Sequence, residues 1–337
     1  MKTTLGEFEI IRRFFAPLTK SEPGALGLTD DAAVLSVAPG CSLVVSTDTI
    51  IEGSHFLPSD TPADIAAKGL AIAFSDIAAM GAAARCYLLS LSLPREWESA
   101  QIERWLGAFA EELRVEQQAI GVALVGGDTV ATRGPLALTF TVFGMIDAGR
   151  ELRRSTACPG DLVYVSGTIG DAALGLSVLK GDLDQLDEEQ REALSLRFRR
   201  PRPRLALGLR LSGVARAAAD VSDGLVADLG HICEASGVRA TIAASRIPLS
   251  APARAALRAD GARMADILGG GDDYELVFTA PPEAAPDIAR IAAEVDLALT
   301  AIGRISQRKK RGEGPPVLVV DEDGRALDVT VGGFSHF

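Results

Sequence analysis

Aspartates recur at the ends of apolar segments, in company with glycine, serine or threonine. They are Asp30 and Asp31 in GLTDDAAVL, Asp48 in VVSTDTI, Asp76 in AFSDIAAMGA, Asp128 in LVGGDT, Asp220 and Asp223 in AADVSDGL, and Asp272 and Asp273 in GGGDDYEL. Taken singly, such residues are helix caps and turn formers. As a set they mean more, because several directly follow short β-type runs, where sheets present their ends to ligands. Clustered carboxylates and hydroxyls suit Mg²⁺, which takes oxygen ligands and keeps waters and substrate phosphates in its shell. Asp76 is the sharpest case. On a helix it shares a face with Ile72 and Met80, so it points inward. A carboxylate there needs a cation, a hydrogen-bond network or a raised pKa.

The charge balance points the same way. The 337-residue chain carries a formal net charge of −11, which repels nucleic acid, anionic membranes and nucleotide phosphates alike. A divalent metal is the cation that lets an acidic protein hold polyphosphate. No G-x-x-x-x-G-K-[ST] loop, no H-R-D or D-F-G set and no G-x-G-x-x-G opening a helix is present. The Gly-Gly-Asp and Gly-Gly-Gly-Asp segments read as turns able to present backbone N–H groups to phosphate. From the residues alone the reading is Mg²⁺–phosphate chemistry without a known loop. The cysteines, Cys41, Cys86, Cys158 and Cys233, are widely spaced and read as reduced thiols. The N-terminus has no signal-peptide pattern, and Asp76 and Arg85 interrupt the most apolar stretch, Gly69 to Leu93. A cytoplasmic protein without a membrane span is expected.

The elements that must position these residues alternate between helix and strand, which predicts an α/β or mixed α+β protein. Strands are expected over Ser42–Thr49, Leu88–Leu93, Leu136–Ile146, Leu162–Ser166, Leu276–Thr279 and Val317–Val320, with period-two alternation through Leu138, Phe140 and Val142. A helix should start with Thr61 as N-cap and Pro62 at its first position, run to about Met80, and stop at Gly81. Another should run from about Leu225 to Ala235 and stop at Gly237. The turn-rich stretch Asp147–Asp161 suggests a boundary between domains at 1–150 and 151–337.

Together GLTDDAAVL, STDTIIEGSHF, LAIAFSDIAAMGA, GGDT, TRGPL, CPGDLVYVSG, DVSDGL with DLGHI, and GGGDDYEL occur in the order seen in thiamine-monophosphate kinases, and the chain resembles that family over nearly its whole length. The resemblance implies the two-domain α/β fold of the aminoimidazole ribonucleotide synthetase superfamily and a homodimer joined through N-terminal sheets. It implies phosphoryl transfer from MgATP to thiamine monophosphate. Matching positions for several Mg²⁺ ions are Asp31, Ser46, Thr47, Asp48, Asp76, Asp128, Asp220 and Asp223. Of these, Asp31, Asp48, Asp76, Asp128 and Asp220 would carry catalysis. ATP would also meet Gly127, Asp128, Arg154 and Ser222. Thiamine monophosphate would meet His55, Asp272 and Val331. The chain departs from the family pattern at Thr29, where glycine is usual, at Val130-Ala131, which read as inserted, at Asp272, where glutamate is common, and at Val331, where an aromatic residue is expected. The alternatives are another ATP-using member of the superfamily or a non-catalytic nucleotide-binding relative.

Overall fold

The computed structural model describes residues 6–308 and 314–327. The chain divides into two units, one of Met1–Ile77 with Ala82–Ala148, the other of Gly149–Phe337 joined by the short segment Ala78–Gly81.

The N-terminal unit holds a four-stranded sheet of β1 (Cys41–Ile51), β2 (Ala83–Pro94), β3 (Ala123–Thr132) and β4 (Ala137–Asp147) in the order β1-β4-β2-β3. Strand β4 is antiparallel to β1 and β2, while β2 and β3 are parallel. Along β4 every second residue is buried, Leu138, Phe140 and Val142 among them, as the alternation predicts. Helix α1 (Glu7–Ile10) and several short helical turns precede the sheet, and α2 (Pro62–Ala79) and α3 (Ser99–Ile120) pack on it. Helix α2 begins where Pro62 follows Thr61, whose Oγ1 accepts the Asp64 N–H at 3.1 Å. The chain leaves it through Gly81 at φ +73°. The Gly69–Leu93 stretch is therefore a helix, a turn and a strand. Leu70, Phe74 and Ile77 are fully buried, each contributing about 1.5–3 kcal/mol of transfer free energy. A Cβ at Gly69 would lie 2.4 Å from Phe140, so glycine sets how closely α2 approaches the sheet. The Tyr87 hydroxyl, also buried, donates to Gln117 on α3 at 3.3 Å.

The second unit is built on a six-stranded sheet of β5 (Leu162–Ser166), β6 (Ala217–Asp220), β7 (Val238–Ala243), β8 (Leu276–Ala280), β9 (Leu299–Gln307) and β10 (Val317–Val320), ordered β10-β7-β9-β5-β8-β6. Only the β10–β7 pair is parallel. Helices α4 (Asp171–Leu179), α5 (Glu188–Arg199), α7 (Leu225–Ser236), α8 (Ala251–Ala259) and α9 (Arg263–Gly269) supply one core with Val163, Val165 and Val277. Helices α6 (Leu205–Leu211) and α10 (Ala285–Glu294) supply the other, with Tyr164 and Phe278. Because both faces are covered, β6 and β8 are buried along their whole length and show no polar alternation. Helix α7 stops at Gly237, at φ +68°. Among the described residues no helix is long and apolar enough to cross a membrane.

Candidate active site

In the N-terminal unit Ser46 and Asp48 lie two residues apart on β1 and so share the face that α2 covers. The Ser46 hydroxyl donates to Asp76 Oδ2 on α2. Asp76 is half-buried, and the inward placement expected from its helical spacing brings it against β1. Burial pushes the Asp48 carboxyl up to about 6, and the Asp76 charge adds to the rise. Asp48 Oδ2 is buried and has no hydrogen-bond partner among the described residues. Two carboxylates and a hydroxyl thus converge where one oxygen has given up water and gained nothing for it, the condition a bound cation would relieve.

Thr47, between them, faces the other way. Its hydroxyl pairs with that of Thr141 at 2.9 Å on the exposed face of the sheet, as Thr49 pairs with Thr139 at 2.8 Å. Asp31 is exposed in the bend before β1. The preceding Thr29 sits at φ −107°, a conformation open to any residue, so the glycine usual there is not required.

The Gly-Gly-Asp segment is not the turn expected from its composition. Gly126, Gly127 and Asp128 lie inside β3, paired with Leu88, Leu89 and Ser90 just past a register shift that leaves Val125 of β3 without an opposite residue on β2. A Cβ on Gly127 would sit 1.8 Å from the Leu89 carbonyl oxygen, so strand approach rather than turn geometry demands the glycine. Val130-Ala131 lengthen the same strand, pairing with Ser92 and Leu93; a two-residue extension keeps the alternation of faces. Asp128 is exposed and accepts the Thr129 N–H at 2.9 Å. Tracing the register from Asp48 through Phe140 and Leu89 reaches Gly127. Asp48 and Asp128 therefore stand on opposite edges of the sheet, about 14 Å apart at three strand spacings. They cannot share one ion within this sheet. His55 follows β1 in a tight turn and accepts the Ile51 N–H on Nδ1 at 3.1 Å, which puts the proton of the neutral ring on Nε2.

In the second unit the DVSDGL and GGGDDYEL segments lie side by side. Asp272 N donates to the Ser222 carbonyl at 2.9 Å and Tyr274 N to that of Val221 at 2.8 Å. A Cβ on Gly271 would lie 2.1 Å from the Ser222 oxygen, and one on Gly224 would lie 2.7 Å from Gly269. Asp220, buried, ends β6; Ser222 and Asp223 are half-buried in the loop leading to α7. Asp272 and Tyr274 hold left-handed backbones, φ +70° and +51°, which side chains adopt at a cost of order 1–3 kcal/mol each. The Tyr274 hydroxyl donates to Asp272 Oδ1 at 3.1 Å. Arg154 is exposed in the helical turn Arg154–Thr156, and its charge acts on Asp228. Val331 lies outside the described residues.

Several residues that support this arrangement were assigned to no binding set from the sequence, although Asp273 belongs to the aspartate series. Asp228 and His231 on α7 bring potential ligand atoms within 4.8 Å of each other and of Asp223. Burial pushes the Asp228 carboxyl up to about 7; the Asp223 charge adds to this and the Asp223 and Ser222 N–H groups oppose it. Asp273 is buried and accepts the Gly170 and Ala172 N–H groups at 2.6 and 3.2 Å, closing the start of α4. Burial holds it up to about 8 in spite of them. Fully buried Glu275 accepts from Ser166 Oγ at 2.6 Å, Arg197 Nη2 at 3.0 Å and Arg204 Nε at 2.6 Å. The available signal for Asp228 was a charge among Leu225, Leu229 and Ile232 on one helical face. The partners of Glu275 are more than 70 residues away in sequence and had none.

Two oxygen-rich clusters on mixed sheets, one on β1 and α2 and one in the loops after β6 and before β8, define the class of protein. Residues 29–146 match the family described as AIR synthase related protein, N-terminal domain, and residues 158–313 its C-terminal domain. The chain is 42% identical to the thiamine-monophosphate kinase of Salmonella typhimurium over 337 residues, 98% of each chain. It superposes on the thiamine-monophosphate kinase of Stenotrophomonas maltophilia K279a with a TM-score of 0.81 and 40% identity, covering 94% of this chain and 98% of that one. It superposes on AaThiL complexed with AMPPCP and TMP with a TM-score of 0.76 and 30% identity, covering 99% and 97%. The chain belongs to the thiamine-monophosphate kinase family.

Proposed function

We propose that this protein transfers the γ-phosphoryl group of ATP to the phosphate of thiamine monophosphate, giving thiamine diphosphate and ADP. Family membership supplies the substrates. The observation within the chain that carries the chemistry is the buried Asp48 Oδ2, unpartnered among the described residues, beside Asp76 and Ser46. An oxygen-only donor set of this kind fits magnesium. In the N-terminal unit Asp31, Ser46, Asp48, Asp76 and Asp128 would hold such ions, with Thr47 limited to its main chain on that face; in the second unit Asp220 and Asp223 would do so. Bound there, magnesium would neutralise the triphosphate and the acceptor phosphate, which otherwise repel each other.

The remaining work is binding and orientation. Gly127, Asp128, Arg154 and Ser222 are assigned to ATP, and Arg154 supplies a fixed positive charge. His55 and Asp272 are assigned to thiamine monophosphate, with Val331 beyond the described residues. In the transfer, an oxygen of the acceptor phosphate bonds to the γ-phosphorus as the bond to the ADP oxygen breaks. The acceptor is already an anion at neutral pH, so no residue need remove a proton. We further infer a homodimer joined through the exposed face of the N-terminal sheet, where Leu43 and Val45 are 39% and 52% exposed. A cytoplasmic location suits an ATP-consuming enzyme whose four cysteines are all free thiols. The deciding experiment is purified protein with MgATP and thiamine monophosphate, followed by chromatography. Thiamine diphosphate and ADP should appear in equal amounts. ATP consumption with no thiamine diphosphate, or no reaction at all, would reject the assignment.

A further inference from the structure

The Asp228 side chain holds the main chain of the Ser222–Asp223 loop, and it belongs to none of the assigned sets. Its carboxylate Oδ2 accepts both the Ser222 N–H and the Asp223 N–H, each at 3.0 Å. The residue is 1% exposed and stands one turn into α7, a regular helix of twelve residues anchored in the core through Leu225, Leu229 and Ile232. A single rigid acceptor thus fixes two consecutive peptide groups of a glycine-containing loop that would otherwise be free to turn. The consequence reaches further, because the Ser222 carbonyl in that same loop accepts the Asp272 N–H at 2.9 Å. The loop is therefore held from below by α7 and in turn holds the segment in which Asp272 keeps its left-handed backbone. The charged and ligating groups around Asp228 are Asp223, His231 and Arg154.

We propose that Asp228 is a positioning residue for nucleotide binding: through its two main-chain hydrogen bonds it fixes the loop that presents Ser222 and Asp223 to MgATP. This rests on the assignment of Ser222 and Asp223 made above. An acceptor oxygen is what the role requires. Asparagine, which keeps one oxygen of the same reach, satisfies it, whereas alanine leaves two part-buried N–H groups without this acceptor.

The test is calorimetric binding of a non-hydrolysable ATP analogue in the presence of Mg²⁺ to the full chain and to Asp228→Asn and Asp228→Ala, with steady-state kinetics alongside. Loss of a supporting partner of this kind weakens affinity on the order of 10- to 100-fold. Asp228→Ala should weaken analogue binding by that factor and raise KM for MgATP in parallel, while Asp228→Asn stays within about threefold of the unaltered protein. Hydrogen exchange at the Ser222 and Asp223 amides should quicken in Asp228→Ala and stay slow in Asp228→Asn. Unaltered analogue affinity in folded Asp228→Ala would overturn the proposal. So would equal damage in both variants, which would assign the negative charge itself, as a metal ligand, in place of the acceptor. If Asp228→Ala does not fold, Asp228→Asn decides alone: near-normal affinity with protected amides supports the role, and lost affinity with protected amides refutes it. Analogue binding is read without thiamine monophosphate, so failure of the acceptor assignment would leave this result intact.

Discussion

Asp48→Asn should make the metal-free protein more stable at pH 8 while removing its response to magnesium. In the folded chain the Asp48 carboxyl titrates at about 6 against an ordinary value of 3.8, because it is buried beside Asp76. The folded state therefore binds this proton more tightly than the unfolded one. Between about pH 4 and pH 6 the native state holds more protons, so stability falls as pH rises through that window, and the full penalty remains above it. A shift of this size corresponds to about 3 kcal/mol as an upper bound, at about 1.4 kcal/mol per pKa unit. An asparagine removes the charge but leaves a partly unpaired amide, which costs about 1 kcal/mol, so the net gain is about 1–2 kcal/mol. At about 2–4 °C per kcal/mol for a unit of this size, the melting temperature at pH 8 in EDTA should rise by roughly 2–8 °C. The advantage should vanish near pH 4. Both tryptophans, Trp97 and Trp105, lie in the N-terminal unit, with ring centroids 5.7 Å apart, so their fluorescence reports the unit that carries Asp48. Adding Mg²⁺ should raise the melting temperature of the unaltered chain and leave the variant almost unmoved. A variant less stable than the parent at pH 8 in EDTA would refute the reasoning, as would equal stabilisation of both by Mg²⁺.

Asp76→Asn should lower kcat at least 100-fold at saturating MgATP with unchanged circular dichroism, since it removes a charge from the pair while keeping an acceptor for Ser46; turnover near the parent value would count against a metal role. Gly127→Ala should destabilise the N-terminal unit by more than about 3 kcal/mol in urea unfolding, because its Cβ would meet the Leu89 carbonyl oxygen at 1.8 Å; a neutral result would disprove the close strand approach. Glu275→Ala strands Arg197 and Arg204 and should cost about 3–5 kcal/mol, read as a large drop in melting temperature of the second unit. Val45→Asp should convert a sedimenting dimer to a monomer at micromolar concentration, and a dimer that persists would place the interface elsewhere.

What the sequence settled by itself is what local geometry controls. Pro62 after Thr61 and the glycine at position 81 bracket α2, because capping and left-handed backbone are properties of a few adjacent residues. Leu138, Phe140 and Val142 mark β4 because its two faces meet different surroundings. The order of the aspartate motifs was enough to identify the family. Tertiary structure alone decided the rest. Gly126–Asp128 resembles a turn in composition, yet pairing with β2 makes it a strand, and only the partner's carbonyl explains Gly127. Thr47 falls between two candidate ligands in sequence, yet the twofold period of β1 turns its hydroxyl to the opposite face. The isolation of Asp48 Oδ2, the Asp228 anchor and the arginine pair on Glu275 depend on which distant segments meet and how much water they exclude. Desolvation and long-range hydrogen bonding are set by register and packing between elements, and no residue carries that information in its own neighbourhood.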